Sequence, residues 1–215
     1  MSRRLVVVDF DGTITERDTL DEMCRRYAPE AWAAAENDLD TRSMTLREVI
    51  RAEFEPIRGD HDTIVSETVE RSSVRRGFAG FVRAAERAGD RVIVVSSGFE
   101  CIIRPVLERE GLGHLEVIAH DVRFTAEGGV VDFRHGEICP VCGEECKRSV
   151  VEELRDGGPV TYVGDGYSDR CAAKAADRTF ARRTLAQHLD REGVPYTWFD
   201  DFESIRADLL GPGPA

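Results

Sequence analysis

The stretch Leu5-Val-Val-Val-Asp9-Phe-Asp11-Gly12-Thr13 lies near the start of the chain and decides the fold. It begins with a short run of apolar, mostly β-branched residues, which is typical of a strand buried on both faces of a parallel sheet. Two carboxylates, Asp9 and Asp11, follow directly. Open α/β sheets bind ligands beyond the carboxyl ends of their strands. The segment therefore predicts an α/β fold with an acidic site at that end of the sheet.

Three further apolar runs predict the rest of a parallel sheet. They lie at Arg91–Val95, Leu115–Ala119 and Val160–Val163, with helix-compatible sequence between them. Strands that alternate with helices indicate βαβ units and a Rossmann-like, three-layer core. Asp121–Arg134 alternates apolar and polar residues around Gly128-Gly129, which predicts a β-hairpin.

The region between the first and second predicted strands has a different pattern. From Glu16 to Arg76 there is no strand-like run, and apolar residues such as Leu20, Met23 and Tyr27 recur at helical spacing. We therefore predict a helical insertion over 16–76, with a turn at Gly59-Asp60-His61-Asp62, in a core formed by 1–15 and 77–215.

Composition excludes several classes of protein. A net charge of -12 over 215 residues repels nucleic-acid backbones at long range. No apolar run approaches the roughly 18 residues of a membrane span, and the N-terminus lacks a signal-peptide pattern. Six cysteines are too few and too unevenly spaced for a secreted disulfide framework. We expect a cytoplasmic protein, monomeric or homodimeric, that binds neither nucleic acid nor membranes.

A second acidic segment follows the Val160–Val163 run: Gly164-Asp165-Gly166-Tyr-Ser168-Asp169. Alone it fits a helix N-cap formed by Ser168 or Asp169, just as Asp11-Gly12 alone fits a simple turn. A calcium loop at Asp9 is disfavoured, because Ile14 and Leu20 stand where its glycine and closing glutamate belong. Several carboxylates at one crevice repel one another unless a cation lies between them, and oxygen ligands favour Mg²⁺.

Two weaker signals complete the candidate site. Ser96-Ser97-Gly98 follows the second predicted strand, where hydroxyl and backbone N–H groups could bind phosphate, although the tripeptide is also common turn sequence. Lys147 begins a predicted helix that runs to Leu154. A lysine in that position is usually a solvated surface residue, so Lys147 is a candidate only because it occurs together with the other motifs.

Taken in order, Asp9-x-Asp11-Gly-Thr, Ser96, Lys147 and Gly164-Asp165-x-x-x-Asp169 resemble the four motifs of the haloacid dehalogenase superfamily of phosphatases. The resemblance implies that Asp9 is the nucleophile, that Asp11 is the general acid and base, and that the helical insertion is a C1 cap. It also implies Mg²⁺ held at Asp9, Asp11, Asp165 and Asp169. Phosphate would bind to Ser96, Ser97, Gly98, Lys147 and Gly12.

Within that superfamily the chain is similar to the phosphoserine-phosphatase-like group. Cys146-Lys147-Arg148-Ser149 and the Thr179–Arg182 segment look more like the methionine-salvage phosphatases, which act on 2-hydroxy-3-keto-5-methylthiopentenyl-1-phosphate. Cys-Lys also occurs in phosphocholine and phosphoethanolamine phosphatases. Asp18 stands where phosphoserine phosphatases carry a glutamate, and it is a weak candidate for binding substrate. The resemblance implies a small phosphorylated metabolite as the substrate.

A cysteine cluster precedes Lys147. Cys139-Pro-Val-Cys142-Gly143-x-x-Cys146 has the form of a zinc knuckle, and His135 is a candidate fourth ligand. The alternative is three reduced cysteines in a loop. Two hypotheses of different classes follow: a Mg²⁺-dependent phosphomonoesterase, or a zinc-bearing interaction protein on the same scaffold.

Overall fold

The computed structural model describes residues 3–34, 44–134, 138–144 and 146–211. Its centre is a seven-stranded sheet in the order β4-β3-β2-β1-β5-β6-β7. The strands are β1 (Leu5–Val8), β2 (Arg91–Phe99), β3 (Glu116–Phe124), β4 (Gly129–Asp132), β5 (Val160–Gly164), β6 (Arg178–Ala181) and β7 (Thr197–Trp198). All neighbouring pairs are parallel except β3 with β4. The predicted α/β fold is confirmed.

The sheet is covered on both faces, and successive side chains of a strand point to opposite faces. Val6 and Val8 pack into one apolar cluster with the helices on their side. Leu5 and Val7 pack into a second cluster on the opposite face. The continuous apolar run of β1 is thus explained by its central position in a three-layer structure.

The described residues include nine α-helices with the following bounds. They are α1 (Thr19–Tyr27), α2 (Leu46–Phe54), α3 (His61–Arg71), α4 (Phe78–Arg87), α5 (Glu100–Arg109), α6 (Arg148–Leu154), α7 (Arg170–Ala175), α8 (Arg183–Glu192) and α9 (Phe202–Leu210). Helix α2 begins with a capping box formed by Thr45 and Glu48. Among the described residues, no helix is long and apolar enough to cross a membrane.

Three local expectations need correction. The second predicted strand does not end at Val95, because β2 continues through Ser96, Ser97 and Gly98 to Phe99. The predicted turn at Gly59–Asp62 is shorter, because Asp60 accepts a hydrogen bond from Thr63 N and caps α3, which already contains His61 and Asp62. The third strand and the hairpin are not separate, since β3 pairs with β2 and then continues as one arm of the hairpin with β4. Strands β6 and β7 were not predicted. The predicted irregular tail lies mostly outside the described residues.

The described part of the insertion 16–76 contains α1, α2 and α3 and no strand of the sheet, and it packs against the sheet's edge. Phe54 of α2 contacts Phe99 edge-on, with ring centroids 4.7 Å apart. Met23 of α1 belongs to the same apolar cluster as Val122 and Phe124 of β3. The two connections to the core run side by side, since Thr15 and Val74 form an antiparallel bridge. The boundaries of the insertion and its assignment as a separate cap domain stay predictions.

Candidate active site

The loop after β1 brings its two carboxylates to the centre of the sheet. Asp9 directly follows β1, and its backbone N–H donates to Val163 O at 2.9 Å. Gly12 adopts a φ of +73°, a conformation that favours glycine. A Cβ atom at Gly12 would also lie 2.3 Å from Asp165 Oδ2. Glycine at this position therefore lets the loop turn and lets β5's acidic segment approach it.

Three buried carboxylates meet at this point. Asp9, Asp165 and Asp169 each offer an oxygen, and these oxygens lie within 4.8 Å of one another. The Lys147 Nζ atom donates to Asp9 Oδ1 and, at 2.7 Å, to Asp169 Oδ1. Burial raises the pKa of Asp9, and together with the charge of Asp169 it raises the pKa of Asp165 to about 6. Such a concentration of negative charge favours a cation among these oxygens.

Asp169 is fully buried, and both of its carboxylate oxygens accept hydrogen bonds. Oδ1 accepts from Lys147 and from the Tyr162 hydroxyl at 2.6 Å. Oδ2 accepts from the backbone N–H groups of Asp165 and Gly166 at 3.0 and 2.9 Å. These donors precede α7, so the carboxylate does not act as the helix N-cap that the sequence alone allowed. Its contacts orient Lys147 and the loop that carries Asp165.

Asp11 points toward the insertion and the end of β2. Its Oδ1 accepts from the Thr19 backbone N–H at 2.9 Å and the Thr19 hydroxyl at 2.5 Å. Its Oδ2 accepts from Ser96 Oγ at 3.4 Å. Burial and the nearby charge of Asp18 raise the pKa of Asp11 to about 7, and the bonds from Thr19 only partly oppose the shift. A carboxyl group with such a pKa can both give and take a proton near neutrality.

The predicted phosphate-binding residues border the same space, with one difference from expectation. Ser96, Ser97 and Gly98 line the cleft that also contains Asp9 and Asp11. Two backbone N–H groups expected to bind phosphate already have partners: Gly98 N donates to Ser96 Oγ at 2.9 Å, and Gly12 N donates to Thr15 Oγ1 at 3.1 Å. Phosphate would have to replace these hydroxyl acceptors.

Gly98→Ala should lower kcat by about tenfold or more while the protein stays folded. An added Cβ would lie 2.5 Å from Asp11 Oδ2 and 3.1 Å from Ser96 Oγ, so the Asp11 carboxylate would be displaced, and small misplacements of reacting groups are costly. Steady-state kinetics and thermal denaturation measure the two effects. Gly80→Ala is the matched control: Gly80 lies in α4 with nothing within 4 Å of a Cβ. An active Gly98→Ala enzyme with unchanged kcat would contradict this geometry.

The cleft above these residues has a volume of about 490 Å³. One wall is formed by the carboxylates of the core, and the other by side chains of the insertion, namely Asp18, Leu20, Asp21, Arg25, Trp32, Leu46, Val49, Ile50 and Glu53. Asp18 Oδ1 accepts from Leu20 N and Asp21 N and caps α1. Asp18 is the residue that the sequence suggests for substrate binding, and helix capping already occupies one of its two carboxylate oxygens.

Sequence reasoning missed several residues of the site. Arg75 is buried and donates to the carbonyl oxygens of Gly12, Thr13 and Thr15 at 2.8, 2.9 and 3.0 Å, so it holds the loop after β1. Arg183 has a φ of 47° and places Nη1 3.5 Å from Asp165 Oδ2. Arginines carry no distinctive motif, and these two reach the loop only through the fold.

The three cysteines of the predicted cluster lie close together, but the fourth residue beside them is not the predicted one. Sulfur atoms of Cys139, Cys142 and Cys146 lie within 4.8 Å of one another and of Cys171 Sγ. His135, the ligand suggested by the sequence, lies outside the described residues. Cys171 belongs to α7 and was not predicted to join the cluster.

Comparisons with known proteins show the family of this chain. The model for haloacid dehalogenase-like hydrolases matches residues 6–174. The chain is 30% identical to the 2-hydroxy-3-keto-5-methylthiopentenyl-1-phosphate phosphatase of Bacillus pumilus (strain SAFR-032), over 97% of this chain and 92% of that protein. It is 29% identical to the same-named protein of Exiguobacterium sp. (strain ATCC BAA-1283 / AT1b), over 96% of this chain and 97% of that protein.

A solved structure shows the same fold. It is a phosphoserine phosphatase described as a phospho-aspartyl intermediate analogue, with a TM-score of 0.75, 18% identity, and coverage of 97% of this chain and 99% of that one. The family match extends over more than three quarters of the chain, from β1 through the carboxylates of the site to α7. This chain therefore belongs to the haloacid dehalogenase-like hydrolases, and within them it is a phosphoric monoester hydrolase.

Proposed function

We propose that the chain hydrolyses a small phosphomonoester with Mg²⁺ and that Asp9 is its nucleophile. The observation that carries this is the meeting of Asp9, Asp165 and Asp169 with Lys147 at the carboxyl end of the central strands. In the first step an Asp9 oxygen bonds to phosphorus and the bond from phosphorus to the ester oxygen of the leaving group breaks. The product of this step is an aspartyl phosphate, which replaces one difficult displacement by two easier ones.

Asp11 is the proton donor and acceptor in this proposal. It gives its proton to the ester oxygen of the leaving group, then takes a proton from the water that attacks phosphorus and releases Asp9. Thr19 and Ser96 hold its two oxygens in position above the end of β1. Its raised pKa is consistent with a role in both steps.

The carboxylates present fit Mg²⁺, which prefers oxygen ligands. Asp9 and Asp165 would hold it, and when bound the ion would neutralise charge on the phosphate oxygens. Asp11 and Asp169 are the other two predicted ligands. The contacts of Asp169 with Lys147 and Tyr162 favour a positioning role for it. Lys147 would bind a phosphate oxygen, together with Ser96 and Ser97 and the N–H groups of Gly98 and Gly12.

The substrate we propose is 2-hydroxy-3-keto-5-methylthiopentenyl-1-phosphate, after which the relatives are named. Leu20, Trp32, Val49 and Ile50 give the insertion's wall of the cleft an apolar section close to the site. A methylthio end group suits apolar side chains better than the charged amine and carboxylate of phosphoserine do. Phosphoserine and phosphocholine or phosphoethanolamine are the alternatives. The insertion would act as a cap that excludes water from the site.

A panel of phosphomonoesters tests this proposal. We expect kcat/KM for the methylthio enol phosphate to exceed that for phosphoserine and phosphocholine by about tenfold or more, because one small apolar group contributes about 1–3 kcal/mol of discrimination. Turnover should be absent from enzyme dialysed free of Mg²⁺ and should return when Mg²⁺ is added. A preference for phosphoserine would contradict the substrate. Faster hydrolysis of a phosphopeptide than of every small ester would contradict the capped site.

A further inference from the structure

The structure brings four cysteines from two distant segments to one place beside the active site. Cys139, Cys142 and Cys146 belong to the loop that precedes Lys147, and Cys171 lies in α7, directly after the segment that holds Asp165 and Asp169. Their four sulfur atoms lie within 4.8 Å of one another. The proposed hydrolysis uses none of these thiols.

The sulfur atoms are close enough together for a tetrahedral metal site. Zinc–thiolate bonds of about 2.3 Å in tetrahedral geometry place the sulfur atoms about 3.8 Å apart. A set of four thiolates is typical of structural zinc sites, and it leaves no position open for water or substrate. The cluster lies close to the surface, since Cys142 is exposed while Cys139 and Cys171 are buried.

Backbone hydrogen bonds hold the loop at Cys139 in a tight turn. Gly143 has a φ of +74°, and its N–H donates to Cys139 O at 2.8 Å, which closes a tight turn. Cys139 N donates to Glu144 O at 2.9 Å, so the turn is held from both sides. Such a turn aims two thiolates of one short segment at the same point.

We propose that Cys139, Cys142, Cys146 and Cys171 bind one structural Zn²⁺ and that this ion fixes the loop carrying Lys147 against α7. Cys146 is the residue before Lys147, and Cys171 is two residues after Asp169. The ion would therefore connect the two segments whose side chains, Lys147 and Asp169, form the buried ion pair of the active site. Cys171 replaces His135 as the fourth ligand.

Metal analysis of the full-length protein, purified without added zinc or chelator, tests the site. We expect about one zinc per chain, bound independently of the Mg²⁺ needed for turnover. Cobalt substituted for zinc should give the absorption of a tetrahedral thiolate site. Iron in place of zinc would overturn the choice of metal. Intact mass showing disulfides among the four cysteines, or reduced protein without metal that cannot take up zinc or cobalt, would overturn the site.

Variants identify the fourth ligand. Cys171→Ser should lower zinc affinity by roughly a hundredfold or more in a competition assay with a chromophoric chelator, because a structural site depends on all of its ligands. His135→Ala and Cys101→Ser, which changes a cysteine outside the cluster, should retain zinc. The opposite result, with zinc lost in His135→Ala and kept in Cys171→Ser, would overturn the ligand set. If Cys171→Ser does not fold, the cobalt spectrum of wild-type protein and the His135→Ala variant still decide between the two sets.

The proposed positioning role has its own readout. Removal of zinc from wild-type protein should increase hydrogen exchange in segment 138–147 and around α7, and it should lower kcat more than it raises KM. Exchange that stays unchanged in both segments after zinc is removed would contradict the positioning role. Hydrogen exchange does not depend on whether Asp9 is the nucleophile. Failure of this proposal and failure of the proposed hydrolysis can therefore be told apart.

Discussion

Asp9→Asn should lower kcat by more than about a hundredfold while the fold remains intact. The change removes the oxygen nucleophile and one negative charge, and loss of covalent catalysis has effects of at least this size. Asparagine has nearly the volume of aspartate, and its side-chain oxygen can still accept from Lys147, which donates to Asp9 Oδ1 in the structure. Steady-state kinetics with saturating Mg²⁺ measures the loss, and thermal denaturation checks the fold.

The control for this variant is Asp156→Asn, which changes an exposed carboxylate away from the sheet's carboxyl end. Its kcat should equal that of the wild type. An Asp9→Asn enzyme that retains more than about a hundredth of the wild-type kcat would contradict the assignment of Asp9 as nucleophile.

Lys147→Met should remove most activity and destabilise the metal-free protein by about 3–5 kcal/mol near neutral pH, because buried carboxylates then lose their partner. Lys147 Nζ lies between Asp9 and Asp169, both almost fully buried. Burial lowers the pKa of Lys147, but the charges of Asp169 and Asp9 outweigh it and raise the pKa above its usual value. The ammonium therefore stays charged and compensates these two carboxylates.

The loss of stability in Lys147→Met should depend on pH with a definite sign. Burial raises the pKa of Asp9 and the charge of Lys147 opposes this rise, so in the variant the pKa of Asp9 should rise further and the folded protein should hold a proton that the unfolded chain has released. A raised carboxyl pKa contributes stability at low pH that is lost as pH rises through the folded value. We expect urea denaturation in EDTA to show a larger deficit at about pH 8 than at about pH 5. Lys174→Met, at a surface lysine paired with Glu192, is the control. An equal deficit at both pH values would contradict the account.

The elements that meet at the site were predictable where a strand directly precedes a polar motif. Asp9 and Asp165 each directly follow a strand of the central sheet, Ser96 lies in the last part of β2, and parallel strands bring their carboxyl ends to the same side. Lys147 lies on the connection into β5, and its place in the site followed from the resemblance. Strand β1 was evident from its composition because it is buried on both faces.

The remaining features depend on tertiary contacts that local patterns do not encode. Cys171 is far in sequence from the other three cysteines and meets them only because α7 packs beside their loop. Tyr162 looks like an ordinary strand residue, yet its hydroxyl bonds to Asp169. The short strands β6 and β7 gain their pairing from the strands beside them, and two to four residues give little periodic signal.

Oxygen-18 exchange between inorganic phosphate and water tests the central claim, covalent catalysis by Asp9, most directly. If Asp9 forms an aspartyl phosphate, phosphate can phosphorylate the enzyme in reverse and release one of its oxygens as water, and ordinary water then regenerates phosphate. We expect the wild type with Mg²⁺ to wash oxygen-18 out of labelled phosphate, and Asp9→Asn to leave the label in place. A wild-type enzyme that hydrolyses phosphomonoesters but never exchanges the label would contradict the account.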